Sequence, residues 1–329
     1  MGTLHLVNGD SAAGALVASG LARPPQVLVL HDVLSCGRLA PLAKAPDDPA
    51  WLRSREDYWR AVWSSARSLG LVERAFPAFY DKPRNIYTAR EALLEADRVI
   101  LYGAAGLSDR LHQALMLAWL KGLGVSAARC WLAFCEGAGD DSPPRGLAHR
   151  TPAQLAAELN PAPATPAQGQ LLAQFLEGYT GDDPQVLDAL RQSAPAWLAP
   201  ALTAWFHRWP GPLGLDAWDE RLLRVIAAGA DRLPRVLGGV LNAHAGDPDP
   251  VGDLVLAHRL QRLASQERAL VTLAPNREAS PSVHLSEAGR AVLRGEAIAR
   301  PSEDWIGGIP IAGEAAAPFQ RKGDALVRA

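Results

Sequence analysis

Residues 3–14 form the one stretch of the sequence whose residue types and spacing indicate a binding site. An apolar run passes directly into Asn8, Gly9, Asp10 and Ser11, and we expect a helix to begin at Ala12. Glycine lets the backbone come close to a ligand, and Asp10 or Ser11 can cap the helix. Free amides at the positive end of a helix dipole suit a phosphate or a carboxylate. The alternative is an ordinary capped turn that binds nothing.

Polar residues also follow three later strand-like runs, at 26–33, 98–103 and 129–135. They are His31, Asp32, Ser35 and Gly37, then Tyr102, Gly103 and Asp109, then Glu136. Because parallel strands end at the same edge of a sheet, we expect one crevice to collect these corners. The predicted ligand-binding set is Asn8, Gly9, Asp10, Ser11, Asp32, Ser35, Gly37, Tyr102, Gly103 and Asp109.

Asp10, Asp32 and His31 are the candidates for catalytic acid or base chemistry. A general base needs a pKa close to the working pH, and burial beside a second carboxylate can raise the pKa of an aspartate towards it. Each aspartate can equally be the cap of a helix or a turn. Both interpretations stay open, and the sequence assigns no reaction.

The known cofactor and metal motifs are missing from the sequence. Gly9 and Gly14 do not form a GxGxxG motif, and no GK[ST] or GxSxG motif occurs. The eight histidines are scattered, without an HxxxH, HExxH or Cys/His cluster. We therefore predict no metal site and name no cofactor.

Composition narrows the class of protein. The chain has 329 residues, of which 48% are hydrophobic and 21% are charged, as in globular proteins. Its net charge of −2 argues against a general polyanion binder. Three cysteines without a CxxC pair fit a reducing compartment. The sequence shows no signal peptide or membrane span, so we predict a cytoplasmic protein that does not contact membranes.

Strand-like runs alternate with helical segments up to residue 145. This alternation predicts an α/β region with a four-stranded, mostly parallel, Rossmann-like sheet over residues 1–145. Residues 146–212 are predicted to be a linker followed by helices that start at prolines.

Residues 213–329 are predicted to contain the secondary-structure elements of a winged helix-turn-helix. Three helices are predicted, over 217–228, 233–243 and 250–264, and are followed by strand-like runs at 269–274 and 282–285 and a helix over 286–294. We therefore predict an α+β, winged-helix-like region.

This C-terminal region raises the alternative of a ligand-sensing regulator that contacts DNA or a protein. The third helix, with His258, Arg259 and Arg262, would then enter the major groove. However, residues 213–329 hold 14 Lys and Arg against 15 Asp and Glu, which is not the charge of a DNA reader. We expect the unit to pack instead against the first region or against a second copy of the chain, forming a homodimer. A purely structural protein is the third alternative.

Two groups of sequence segments resemble a bacterial family. The run from Leu4 to Ser11, with Asp32 to Gly37, resembles the opening of domain of unknown function 1835. The runs 285–296 and 304–309 resemble domain of unknown function 3658, which accompanies it. The resemblance implies no established activity. Relatives have acidic residues where this chain has Ala104 and Gly106, and only Asp109 supplies a carboxylate there.

Overall fold

The structure is a computed structural model that describes residues 2–40, 48–77, 84–135, 146–147, 150–243, 249–274, 280–301, 305–312 and 319–328. In the N-terminal region the elements are β1 (Thr3–Asn8), α1 (Asp10–Ala18), β2 (Val27–Leu30), α2 (Pro49–Ser68), α3 (Arg90–Glu95), β3 (Arg98–Ala104), α4 (Leu107–Gly122) and β4 (Cys130–Cys135). In the middle follow α5 (Pro152–Glu158), β5 (Ala162–Pro163), α6 (Pro166–Thr180), α7 (Pro184–Ser193) and α8 (Ala199–Arg208). The last part contains α9 (Ala217–Ala227), α10 (Leu233–Ala243), α11 (Asp253–Ser265), β6 (Val271–Ala274), β7 (Ser282–Leu285), α12 (Glu287–Leu293), β8 (Trp305–Ile306), β9 (Ile309–Pro310), β10 (Phe319–Lys322) and β11 (Ala325–Arg328).

The central sheet has five strands in the order β2-β1-β3-β4-β5. The first four strands are parallel, as the apolar runs predict. The fifth strand, β5, is antiparallel to β4 and was not expected, because it has two residues and one is a proline in a segment predicted to be linker. The broad α/β character of the N-terminal region is thus confirmed.

Strand side chains alternate between two cores on the two faces of the sheet. One core, the α4-side cluster, joins strand residues such as Leu6 and Leu101 to α4, α6 and α8. The other core, the α1-side cluster, joins residues such as Val7 and Ile100 to α1 and α5. Both faces of the parallel strands are covered, which is why these runs are almost continuously apolar.

A third core, the α2–α11 cluster, lies between parts of the chain that are far apart in sequence. Trp59 and Val62 of α2 belong to it together with buried residues of α9, α10 and α11. The α4-side cluster also contains Ile309 and Leu326 from the C-terminal strands. Side chains from both ends of the chain therefore share two of the three cores.

The C-terminal elements are small antiparallel pairs and helices. The strand pairs are β6 with β7, β8 with β9, and β10 with β11. The third helix, α11, begins at Asp253 rather than Pro250 and packs on α2. Within the described ranges, no helix has the length and hydrophobicity needed to cross a bilayer.

Candidate functional site at the sheet edge

The strand order reverses between β1 and β3, and their carboxyl ends lead into α1 and α4. In open α/β sheets, ligands bind outside the carboxyl ends of the strands at such a reversal. Neither helix has a side-chain cap: the N-cap residues are Gly9 for α1 and Gly106 for α4. Two helix N-termini without side-chain caps therefore lie at this sheet edge.

Helix α1 begins two residues earlier than the sequence predicts. Gly9, with φ of +87° and ψ of 151°, is the N-cap residue, and Asp10 is already in the first turn. The Gly9 amide donates to the carbonyl of Leu30, and its carbonyl accepts from the amide of Ala13. The expectation that Asp10 or Ser11 caps a helix starting at Ala12 is wrong, because a positive φ at glycine lets the chain turn directly from strand into helix.

Asp10 instead contacts His31, the first residue after β2. The Oδ1 atom of Asp10 is 2.9 Å from Nε2 of His31. The histidine side chain is only 5% exposed, whereas the aspartate side chain is 65% exposed. The pair therefore presents a carboxylate to solvent, held by an imidazole that lies below it. Ser11 is exposed in the same turn.

Asn8, the last residue of β1, ties this corner to the start of α4. Its Nδ2 donates to Oγ of Ser108 and to Oδ1 of Asp109, each at 3.2 Å. The other carboxylate oxygen of Asp109 accepts from the Ala104 amide at 2.8 Å. Side chains after two separate strands thus meet at one edge, as the sequence predicts for Asn8 and Asp109.

Asp109 is a carboxyl with a perturbed proton affinity. Burial raises its pKa, and the hydrogen bonds from Ala104 and Asn8 and the charge of Arg110 oppose this shift. Gly146 passes beside it: a Cβ placed on Gly146 would lie 4.0 Å from Oδ2 of Asp109. Glu136, expected at the same edge, lies outside the described residues.

Asp32 turns away from this edge and lies in a separate, buried contact. Its Oδ2 accepts from Nε of Arg55 at 2.9 Å, and its Oδ1 accepts from Arg55 at 2.7 Å and from Trp59 at 2.8 Å. Arg55 also donates to the carbonyls of Val33, Cys36 and Arg38. Through these bonds Asp32 stabilises the turn after β2. A structural role of this kind is the alternative to catalysis that the sequence left open.

Ser35 is likewise directed into the protein rather than towards the sheet edge. Its Oγ donates to Asp249 at 2.8 Å, and its carbonyl accepts from Tyr179 and Arg208. Arg208 also lies 3.6 Å from a carboxylate oxygen of Asp216. Ser35 therefore joins the loop after β2 to a buried charge network between α8 and α9.

The three remaining members of the predicted set have packing roles. The hydroxyl of Tyr102 is 3.0 Å from Nδ1 of His5 inside the sheet. A Cβ at Gly103 would be 2.8 Å from Gln113 of α4, and a Cβ at Gly37 would be 2.4 Å from the ring of Tyr58. Both glycines are thus needed for close packing. The prediction of one crevice for all ten residues is wrong for Tyr102, Gly103 and Gly37, as it is for Asp32 and Ser35.

Sequence reasoning missed two residues that decide this arrangement. Ser108, next to Asp109 in the first turn of α4, contacts Asn8, and its place after a strand was the available signal. Arg55 lies in α2, 23 residues after Asp32, so no local sequence pattern links it to that aspartate.

Among the residues that the structure describes, no group of three or more His, Cys, Asp or Glu side chains could hold a metal ion. No family model matches the chain, and no curated protein is significantly similar to it.

Proposed function

We propose that the chain binds a small anionic molecule, such as a nucleotide, at the sheet edge between α1 and α4. The observation that carries this proposal is that Asn8 contacts Ser108 and Asp109 at the same sheet edge as the Asp10–His31 pair, where two helix N-termini have no side-chain cap. Amides and the positive dipole ends favour an anionic group. Because burial favours the neutral form of Asp109, this carboxyl opposes the anion less than its type implies.

The Asp10–His31 pair is the group at this edge that could transfer a proton. An imidazole held by a carboxylate is a common acid-base arrangement.

We propose a Rossmann-like fold for the N-terminal region, which holds this sheet edge, and a winged-helix-like fold for the C-terminal region. The order β2-β1-β3-β4 supports a Rossmann-like arrangement of the N-terminal region. In the C-terminal region, an isolated antiparallel bridge pairs Arg232 with Ser282 of β7, which supports a winged-helix-like arrangement. The resemblance to domains of unknown function 1835 and 3658 stays a prediction.

The DNA-contacting alternative has no support from α11. Arg259 is buried and pairs with Asp216 and Asp219. His258 is also buried, with its Nδ1 atom 2.9 Å from Oγ of Ser65 in α2. Two of the three basic residues predicted to enter the major groove are thus used inside the protein.

Charge added at the exposed first turn of α1 tests the proposal. We expect Ser11→Glu to weaken the binding of AMP, ATP or citrate by roughly tenfold or more, because a carboxylate would occupy the anion's place. Ala18→Glu places the same charge at the exposed opposite end of α1 and should leave binding unchanged. Isothermal titration calorimetry measures both variants, and their thermal melting checks the fold. Equal affinities in Ser11→Glu and Ala18→Glu would refute this site.

A further inference from the structure

A second cavity, of about 570 Å³, lies away from the sheet edge, between α2 and α11. The loop after β2 and the short strand β8 complete its walls. The side chains on which its chemistry depends are Arg38, Arg53, Asp57, Tyr58, Arg262 and Trp305. Its size is that of a site for a small molecule.

The lining of this cavity is positively charged, although the whole chain has a net charge of −2. Among the described residues that line it, three arginines face a single carboxylate, that of Asp57. Arg38 and Arg53 form no ion pair with any described residue. The cavity therefore concentrates positive charge, because no described carboxylate forms an ion pair with Arg38 or Arg53.

Helix α2 lines this cavity with one face and packs into the protein core with another. Trp51, Arg55 and Trp59 are buried in the protein. Arg53 and Asp57, one turn apart, lie on the other side and line the cavity. The helical spacing of these two sets separates packing residues from residues that can contact a ligand.

The Arg38 side chain stacks on Trp305, and hydrogen bonds anchor the backbone at Arg38 and Leu39. The guanidinium of Arg38 lies 4.5 Å from the centre of the Trp305 ring. The carbonyl of Arg38 accepts from Arg55 at 2.9 Å, and the Leu39 amide donates to the carbonyl of Gly307 at 2.9 Å. A stacked and anchored arginine loses less freedom when it binds an anion.

We propose that this cavity binds a small molecule that carries a phosphate group. Guanidinium groups bind phosphate through charge-assisted, often paired hydrogen bonds. Tyr58 and Trp305 add aromatic surface for the organic part of the ligand. Gly37, which the sequence placed at the sheet edge, lines this cavity instead.

Binding in this cavity does not depend on the proposed function at the sheet edge, because no residue that is substituted in either test belongs to both sites. The probes are orthophosphate, ribose 5-phosphate and AMP, titrated by calorimetry into the full chain. We expect Arg53→Gln and Arg38→Gln each to weaken binding by roughly tenfold, the loss expected for one charged hydrogen bond. Arg67→Gln is the matched control, since Arg67 is exposed at the far end of α2.

The three probes separate the possible sources of the phosphate. Binding of orthophosphate alone would indicate a free anion, and tighter binding of ribose 5-phosphate or AMP would indicate a sugar phosphate or a nucleotide. Each of these results supports the inference if Arg53→Gln weakens the binding and Arg67→Gln does not, with both changes made in a chain that also carries Ser11→Glu, so that the sheet edge does not contribute to the measured binding. The inference is wrong if no probe binds, if Arg53→Gln and Arg67→Gln bind equally, or if only Ser11→Glu loses binding. Thermal melting of each variant excludes loss of the fold as the cause.

Discussion

Asp10 and Asp32 have similar positions after strands but opposite surroundings. Each follows the end of a strand, yet the Asp10 side chain is 65% exposed beside His31, and the Asp32 side chain is fully buried against Arg55. A buried carboxylate is stable only if its charge is compensated and its oxygens are hydrogen-bonded. Asp32 meets both conditions, because Arg55 and Trp59 together supply three donors.

The Asp32–Arg55 pair makes a testable contribution to stability. We expect Arg55→Met to lower the free energy of unfolding by about 3–5 kcal/mol, because it leaves a buried carboxylate without its cation. The double variant Asp32→Asn/Arg55→Met removes both charges and keeps an oxygen that can accept from Trp59, so it should be the more stable of the two. Urea unfolding followed by circular dichroism measures both variants. A double variant less stable than Arg55→Met would show that the charges are not coupled.

The sequence could not distinguish the two aspartates because the deciding partner of Asp32 is distant in the chain. Arg55 stands 23 residues after Asp32, in a helix whose orientation depends on the α2–α11 packing. Asn8 and Asp109 were predicted correctly as neighbours because sheet topology alone brings their strand ends together. Residues placed by strand ends were thus predictable, whereas those placed by long-range side-chain contacts were not.

The packing of α4 on β3 depends on the absence of a side chain at Gly103. A Cβ there would lie 2.8 Å from Cδ of Gln113, whose Nε2 donates to the carbonyl of Leu101. Helix α4 also carries Asp109 to the sheet edge. The distance between this helix and the sheet therefore sets the geometry of the candidate site.

Alanine substitutions at two glycines separate packing from chain flexibility. We expect Gly103→Ala to destabilise the protein by about 1–3 kcal/mol through overpacking against Gln113. Gly14→Ala is the control: Gly14 lies in α1 with no atom within 4 Å of the added Cβ, and the change should stabilise the helix by up to about 1 kcal/mol. Chemical unfolding compares the two. Destabilisation by Gly14→Ala but not by Gly103→Ala would contradict this account.

Among the secondary-structure elements, the four strands with long apolar runs were predicted correctly. Strand β5 and the first residue of α1 were not. The four parallel strands are long or fully buried, so their composition reveals them. Strand β5 has two residues, too few to give a recognisable pattern, and it pairs with β4. The start of α1 was misplaced because a glycine with positive φ can act as N-cap without a side-chain signal.

The whole molecule is held together by elements that belong to more than one core. Trp51 of α2 packs in the α4-side cluster, and Trp59 of the same helix packs in the α2–α11 cluster. The α4-side and α1-side clusters are the two faces of one sheet. A further link is polar, because Arg208 at the end of α8 lies 3.6 Å from Asp249. These links could not be predicted from a division of the sequence at residues 145 and 212.

The three cysteines report on the three cores separately, since each is buried in a different one. Cys130 is in the α4-side cluster, Cys135 in the α1-side cluster and Cys36 in the α2–α11 cluster. Because the cores share helices and strands, we expect all three thiols to become reactive at the same denaturant concentration. Labelling at a series of urea concentrations, with the modified peptides identified by mass spectrometry, gives a midpoint for each thiol.

Midpoints rather than labelling rates are the quantity to compare. Burial raises the pKa of Cys135 to about 11 and also raises the pKa of Cys130, so their thiolates form less readily in the folded protein. In the unfolded chain these differences disappear, and the midpoint then depends on the unfolding equilibrium alone. If Cys36 became reactive at a clearly lower urea concentration than Cys130 and Cys135, the α2–α11 cluster would open independently. The cavity between α2 and α11 would then lie in the less stable part of the molecule, and a phosphate compound bound there should raise the Cys36 midpoint selectively.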